Sequence, residues 1–574
     1  MKRKYSIFAC IGFLFGFFTV TGRDLALQKG QWGNLIWNTT YTIRILLCSL
    51  VIGLSVGVVA CWGPAFCRKM YATVFPASFL AGRQERKKQG KTFKAGQIFF
   101  ASFLLLALCR LPVYLAYYPG ICSYDVTVQT GQIVNHAYND HHPLAHTLLL
   151  AGSMRLGESL FGDANTGLAI LTLFQMLCLA AVIAWGIALL WSRGARRGFL
   201  VCIQIFGMIY PFHLYMSVSV IKDVFFTVFF LLQMLALCEI VRRKKNAVDG
   251  FDVLFGLSGI GMQLFRTNGR YAMLVLAAFI LLALLFGRGA RRFWGKLAVN
   301  CVLSLLIGGL CLSGLFRVTG AQQGDRREML SMPIQQLARC MLYHGGVGVL
   351  AEDDGTMDEE DRNLVNDFLL DEGYRAYRPE ISDPVKNHTN TYVVRYRTSD
   401  FVKSYFRLLV RYPGDFINAV LAVNAGYLYV GDESHAYINV NGVERGLGYV
   451  QTRWVDDELN PRGIYKDSRW EGLHEILEEW ADQNAYLKIP VIKYLFVPGV
   501  FLWLYLLLAG SLAAGRRYDR CVPLALVLGY YLTLFLGPTV QLRYIYPLIL
   551  AWPFAALYLF CGSEENQNEY SEQE

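Results

Sequence analysis

Chemistry first becomes possible in the loop Tyr117-Tyr118-Pro119-Gly120-Ile121-Cys122-Ser123-Tyr124-Asp125, which runs on to Asn139-Asp140-His141-His142-Pro143-Leu144-Ala145-His146. Pro119-Gly120 ends the apolar stretch before it, so Asp125 lies close to a membrane surface. A partly desolvated carboxylate there can take a proton from a hydroxyl or amine nucleophile. It can equally serve, with Ser123, as the cap of a helix over Val126–Tyr138. Both readings stand. Pro143 suits a first helical position, which places His142 and His146 one turn apart. With His141 and with Asp125 or Asp140, that pair is a candidate site for a divalent metal. Otherwise these histidines cap the helix and hold substrate hydroxyls.

Four cations stand in short polar motifs. Lys222-Asp223 opens one apolar segment, Arg266-Thr267-Asn268-Gly269-Arg270 is a tight turn between two others, and Arg543-Tyr544 opens the last. Ionisable groups at membrane depth are costly and commonly functional. Phosphate is the anion that arginine binds with two parallel hydrogen bonds. The structural reading of each is snorkelling or a local ion pair of the Lys222–Asp223 kind. Asp223 also counts among the metal or substrate candidates. Arg110 is different, because it lies within a span and must face the bundle interior, a pore or a carboxylate.

The elements that must position these residues are membrane spans. Of 574 residues, 54% are hydrophobic, 14% aromatic and 17% charged, with a mean hydropathy of +0.34. That excludes an ordinary soluble protein. Apolar stretches near the roughly 20 residues a span needs fall at about 5–22, 41–63, 96–118, 163–191, 197–213, 219–241, 250–265, 271–287, 295–316, 491–514, 520–537 and 543–562. The expected fold is therefore an all-α polytopic membrane bundle of about twelve transmembrane helices. A mainly helical α+β extracytoplasmic domain is inserted before the last three.

The net charge of +10 needs no nucleic acid. Lys2–Lys4, Arg83–Lys94, Arg193–Arg197, Arg242–Lys245, Arg288–Arg292 and Arg516–Arg520 all fall on one side of twelve spans. By the positive-inside rule that side is cytoplasmic, with both termini, in a plasma (inner) membrane. Lys222, Arg266, Arg270 and Arg543 then share the opposite face with the Asp125 loop. The first span has a poor cleavage site at Phe18–Gly22 and is expected to remain as an anchor.

The domain boundaries follow. Residues 1–95 are a two-span anchor with a basic cytoplasmic segment. Residues 96–316 are the core, with its first outer loop at 119–162. Residues 317–490 are the extracytoplasmic domain, 491–562 a three-span part, and 563–574 an acidic, disordered tail. Helices are expected at 144–161, 399–424 and 469–485, and short strands at Tyr427–Val430 and Ala436–Val440. Most of the 14 cysteines are span residues, and Cys122 and Cys340 are expected as free thiols. The acidic run Glu352–Asp361 lacks calcium-loop spacing and reads as a solvated face.

This pattern resembles the polytopic GT-C glycosyltransferases, among them bacterial aminoarabinose transferase and the protein mannosyltransferases. The resemblance rests on a long first outer loop with Asp125 and His142-Pro143, on Lys222-Asp223, and on the late span opening Arg543-Tyr544-Ile545-Tyr546-Pro547. More narrowly, the chain is similar to uncharacterised bacterial membrane proteins sharing Pro119-Gly120, Ser123, Asp125, Gln129 and His142-Pro143. Those proteins also share Lys222-Asp223, Arg266 with Asn268-Gly269, and Ser382-Asp383-Pro384. The likeness covers most of residues 96–560. It departs from the mannosyltransferases where Val126, not a second acid, follows Asp125.

The resemblance implies a sugar donor on a polyprenyl phosphate lying in the bilayer, and an envelope glycan, lipid or protein as acceptor. Asp125 would activate the acceptor, with inversion. Lys222, Arg266, Arg270 and Arg543 would neutralise the departing phosphate, with Gln129, Asn268, Tyr544 and Arg110 as further substrate contacts. A transporter or lipid flippase is the rival reading, weakened by the absence of an internal repeat. An envelope assembly protein is the third.

Overall fold

A computed structural model describes residues 2–27, 35, 37–74, 93–122, 124–286, 290–431, 464–483 and 485–561. The expected strand at Ala436–Val440, the acidic tail and residues 83–92 of the basic segment lie outside them.

The described chain is helical. Its longer helices are α1 (Lys2–Leu27), α2 (Thr39–Val74), α3 (Ala95–Ala116), α4 (Tyr124–Val134), α5 (Leu144–Phe161), α6 (Ala164–Ser192), α7 (Arg197–Ile209), α8 (Pro211–Val218), α9 (Lys222–Arg243) and α10 (Gly250–Phe265). There follow α11 (Thr267–Phe286), α12 (Arg291–Thr319), α13 (Ser331–His344), α14 (Glu359–Phe368), α15 (Thr398–Arg411), α16 (Pro413–Leu428), α17 (Glu471–Asp482), α18 (Pro498–Ala514), α19 (Val522–Leu534) and α20 (Tyr546–Cys561).

Among the described residues, eight helices are long and apolar enough to cross a membrane, or nine if the bent pair α7–α8 is one span. The chain is thus a polytopic helical membrane protein. All twelve apolar segments of the sequence are helical, but three fall short. The helices α10, α18 and α19 have 16, 17 and 13 residues, against the 20 that span about 30 Å at 1.5 Å per residue.

Among the described residues there is no strand, only isolated bridges. Of the expected strand at Tyr427–Val430, Tyr427 and Leu428 end α16, and Tyr429 and Val430 lie beyond it outside any strand. Small residues at Ala419, Ala422, Ala425 and Gly426 let that helix pack closely, and a short apolar run does not distinguish the two structures by period. The helix expected at 399–424 is two, α15 and α16, divided at Tyr412-Pro413, where proline starts the second.

The described residues of 317–490 contribute to three apolar clusters. Ile334 to Phe416 form a core of their own. The end of α16 packs with Leu25 and Ala26 of α1. Ile464, Leu473, Leu477 and Tyr486 join the main bundle core.

The bend between α7 and α8 is 55°. Pro211 has no N–H for the carbonyl of Gly207, four residues back. Arg110 supplies the missing donor: its guanidinium, wholly buried, gives one bond to Gly207 O at 2.8 Å and another to Leu106 O at 3.0 Å. The expected inward-facing span charge is therefore present. It serves the backbone at a helix break.

Candidate functional site

The site is set by a short pairing of two chain-distant segments. Ile121 N donates to Val218 O at 2.9 Å, and Val220 N donates to Ile121 O at 2.8 Å, as a parallel bridge between Ile121 and Ser219. Gly120 allows the approach: at φ +152°, a Cβ there would stand 2.5 Å from Thr172 Oγ1. Gln175 of α6 fixes the second segment from behind, donating to Ser219 O at 2.7 Å. A few residues beyond the bridge, α4 and α9 begin side by side. Asp125 lies in the first turn of one, and Lys222 and Asp223 in the first turn of the other.

Acids in a first turn suit the helix dipole, whereas Lys222 does not. Its cost is met by contacts. Lys222 Nζ donates to Asp125 Oδ2 at 3.0 Å and to His142 Nδ1 at 3.2 Å. Arg543, over 400 residues away, donates to the same Asp125 oxygen at 3.2 Å and stands 3.6 Å from Asp223 Oδ2. Arg266, at the turn before α11, pairs with Asp223 Oδ1. Two guanidiniums approach the Tyr544 ring, Arg266 at 4.7 Å and Arg543 at 5.0 Å from its centroid. Three cations thus meet two carboxylates, leaving the cluster one positive charge in excess. Asp223 is wholly buried, and Lys222, at 17% side-chain exposure, is its most accessible member.

Burial alone would push the Asp125 carboxyl up, but Lys222 and then Arg543 hold it well below the usual carboxylate range. Burial, with the Lys222 charge, lowers His142 to about 3 and His146 to about 4. Both rings are therefore neutral at physiological pH.

The remaining sequence candidates divide. Gln129 holds His146, its Oε1 lying 3.1 Å from His146 Nδ1, while its amide donates to Thr147 Oγ1 at 2.9 Å. His141 is exposed and packs edge-on against the His142 ring at 4.7 Å. Asn268 donates to Thr533 of α19 at 2.8 Å, joining helices. Arg270 is half-buried and makes no ion pair with the described residues.

The expected metal grouping does not form. Among the described residues no three His, Cys, Asp or Glu side chains are arranged to hold a cation. The reason is local: an ammonium, Lys222, occupies the position between Asp125 and His142 that a metal would need, and Asp140 accepts from Gly324 N. Cys122 and Cys340 are free thiols, both buried.

The family follows from the sequence over residues 133–573, which match a family model described as a family of unknown function (DUF6020). The chain belongs to that family. No curated protein matches it. The matched region includes His142, His146, Lys222, Arg266 and Arg543. Asp125 and Gln129 stand just before its start.

Three further contributors were not among the site residues read from the sequence. Gln541 accepts from Arg543 Nε at 2.8 Å. Tyr530 donates to Tyr544 O at 2.6 Å. Ser382 N donates to Pro538 O at 2.9 Å, so the Ser382-Asp383-Pro384 motif braces the segment leading to Arg543. Only that motif carried a signal, and it did not name its partner.

Proposed function

We propose that the protein is a membrane glycosyltransferase that moves a sugar from a polyprenyl phosphate to an acceptor outside the cytoplasm. One observation carries the reading: Lys222, Arg266 and Arg543, from three distant parts of the chain, meet around Asp125 and Asp223 at the helix starts. Backbone N–H groups at helix starts add further positive potential. In this reading all twelve apolar segments lie within the plasma membrane, both termini are cytoplasmic, and the site opens on the opposite face.

Charge selects the donor type. An excess of one positive charge matches a sugar phosphodiester, which carries one negative charge. When the bond from the sugar to the phosphate oxygen breaks, the phosphate gains a second negative charge. Cations placed where that charge develops lower the barrier. The donor phosphate must first take Lys222 and Arg543 from Asp125. That exchange frees Asp125, whose paired carboxylate is a poor base, to accept the proton of the attacking group. Donor binding and activation of the acceptor are thereby coupled through one oxygen, Asp125 Oδ2.

The bent helix α7–α8 is the feature that favours a transporter, since broken spans line transport paths. Its freed carbonyl is occupied by Arg110, which speaks for a braced kink. The deciding experiment uses purified protein in nanodiscs with radiolabelled polyprenyl phosphate–glucose and a lysate of envelope acceptors. A covalently labelled product supports transfer. Movement of intact donor between leaflets of proteoliposomes, with no product, sinks it.

A further inference from the structure

Two buried ring nitrogens beside the cation cluster have no hydrogen-bond partner among the described residues: His142 Nε2 and His146 Nε2. Their rings are 4% and 0% exposed. An unmet buried polar atom costs about 1–3 kcal/mol, so two in one place call for an explanation.

The hydrogen bonds around each ring fix what its free nitrogen offers. Lys222 is an ammonium and can only donate, so His142 Nδ1 accepts and the ring proton sits on Nε2. The free atom of His142 is therefore a donor. On the other ring, Thr147 donates to Pro143 O at 3.4 Å and so receives the Gln129 amide. Gln129 Oε1 is left facing His146 Nδ1, which donates to it. The free atom of His146 is therefore an acceptor. Each ring is set by its own relay, and the outcome is one donor and one acceptor.

One donor and one acceptor are what a hydroxyl group requires, for its oxygen and its hydrogen respectively. An ammonium has no use for the His142 donor and is repelled by Lys222. We infer that His142 and His146 offer a donor and an acceptor to neutral hydroxyls of the sugar, next to the cations that take its phosphate. The inference rests on the transferase reading for the identity of the ligand, and it narrows the donor to a hydroxylated sugar without a charged amine at that position. Gln129 is then a positioning residue, because it sets the His146 tautomer without touching the ligand.

The test is nitrogen-15 spectroscopy of histidine-labelled protein in nanodiscs. Nine histidines keep the spectrum tractable. His142→Asn and His146→Asn assign the two rings, and if either variant fails to fold, assignment proceeds by substituting the other seven. The expected spectrum has the His142 proton on Nε2 and the His146 proton on Nδ1. Adding methyl glucoside, or polyprenyl phosphate–glucose, shifts the His146 Nε2 resonance, and bare polyprenyl phosphate leaves it in place. His146→Asn weakens binding of the glucose-bearing lipid about tenfold relative to the bare phosphate, as loss of one hydrogen bond of about 1.4 kcal/mol would. The opposite tautomers, or a His146 resonance that neither glucose compound moves, overturn the inference. A shift by methyl glucoside without any transferred product would retain the hydroxyl subsite and sink the transferase instead.

Discussion

Replacing Asp125 with asparagine separates the roles of that residue. Its Oδ2 lies 3.0 Å from Lys222 Nζ and 3.2 Å from Arg543 Nη1. At an effective dielectric of about 20, each contact has an attraction of about 5 kcal/mol. Desolvation of the three ions takes back several kcal/mol apiece, so removing one partner of such a buried pair typically costs about 3–5 kcal/mol. Asparagine keeps one acceptor oxygen for the cations, which places the expected loss at the lower end, about 3 kcal/mol.

The effect on phosphate has the opposite sign. In the native protein an incoming phosphate must displace a carboxylate. In Asp125→Asn it meets cations with one compensating charge fewer. We expect polyprenyl phosphate to bind about tenfold tighter, a gain of about 1.4 kcal/mol. Transfer should meanwhile fall by about 10²–10⁴, the usual contribution of a general base. Thermal unfolding, lipid titration into nanodiscs and product formation read the three effects separately. Weaker or unchanged phosphate binding by a folded Asp125→Asn protein would refute the competition between carboxylate and phosphate. Unchanged transfer would refute the base.

Arg266→Ala leaves the wholly buried Asp223 with only Arg543 near it, and should cost about 3–5 kcal/mol in thermal or denaturant unfolding; Arg266→Lys should recover part of this, without the stack on Tyr544. At the other end of α9, buried Glu239 accepts from Arg193 at 2.6 Å, Arg243 at 2.7 Å and Arg242 at 3.1 Å, and from the Tyr558 hydroxyl. Glu239→Gln should destabilise by a similar amount. It should leave phosphate binding within about twofold, since the 16-residue rise of α9 from Asp223 to Glu239 separates the two clusters by about 24 Å. His344 lies between two carboxylates, Asp354 at 3.0 Å and Asp415 at 2.8 Å, with Arg339 on Asp415, Thr356 nearby and the Tyr412 ring stacked at 3.9 Å. Burial would lower its pKa, but the bonds to Asp415 and Asp354 outweigh that and raise it above the ordinary 6.5. Its contribution is thus complete below pH 6.5 and is lost as pH rises through the raised value. Amide protection in residues 345–358, taken relative to the intrinsic exchange rate at each pH, should fall as pH rises above 6.5, and His344→Gln should abolish that fall.

The kinds of residue at the site were legible from the sequence, because charge in an apolar chain is conspicuous. Lys222, Arg266 and Arg543 each break a pattern that would otherwise be lipid-facing or buried, and no packing role demands them. Partnership was not legible. Lys222-Asp223 reads as a neighbouring ion pair, yet consecutive residues on a helix point different ways. Lys222 turns to Asp125 and Asp223 to Arg266. Arg110 is the cation within a span, and its bonds go to backbone carbonyls. Its role depends on a proline 101 positions later, which becomes relevant only once α3 and α7 are packed together.

Three of the twelve apolar segments are shorter as helices than their hydropathy suggests, for a related reason. Hydropathy measures composition, but crossing depends on length, and α10, α18 and α19 are cut short by Arg266, Pro498 and the break before Leu542. Two of those three interruptions deliver the site's cations: α10 ends at Arg266, and the segment after α19 presents Arg543. A longer helix in either place would carry its cation further along the bundle, away from the first turns that hold Asp125 and Lys222. Short helices and convergent charge are then one feature. Lengthening α19 by a turn should pull Arg543 about 5 Å along the bundle, out of reach of Asp125, and should cost phosphate binding even in a protein that remains folded.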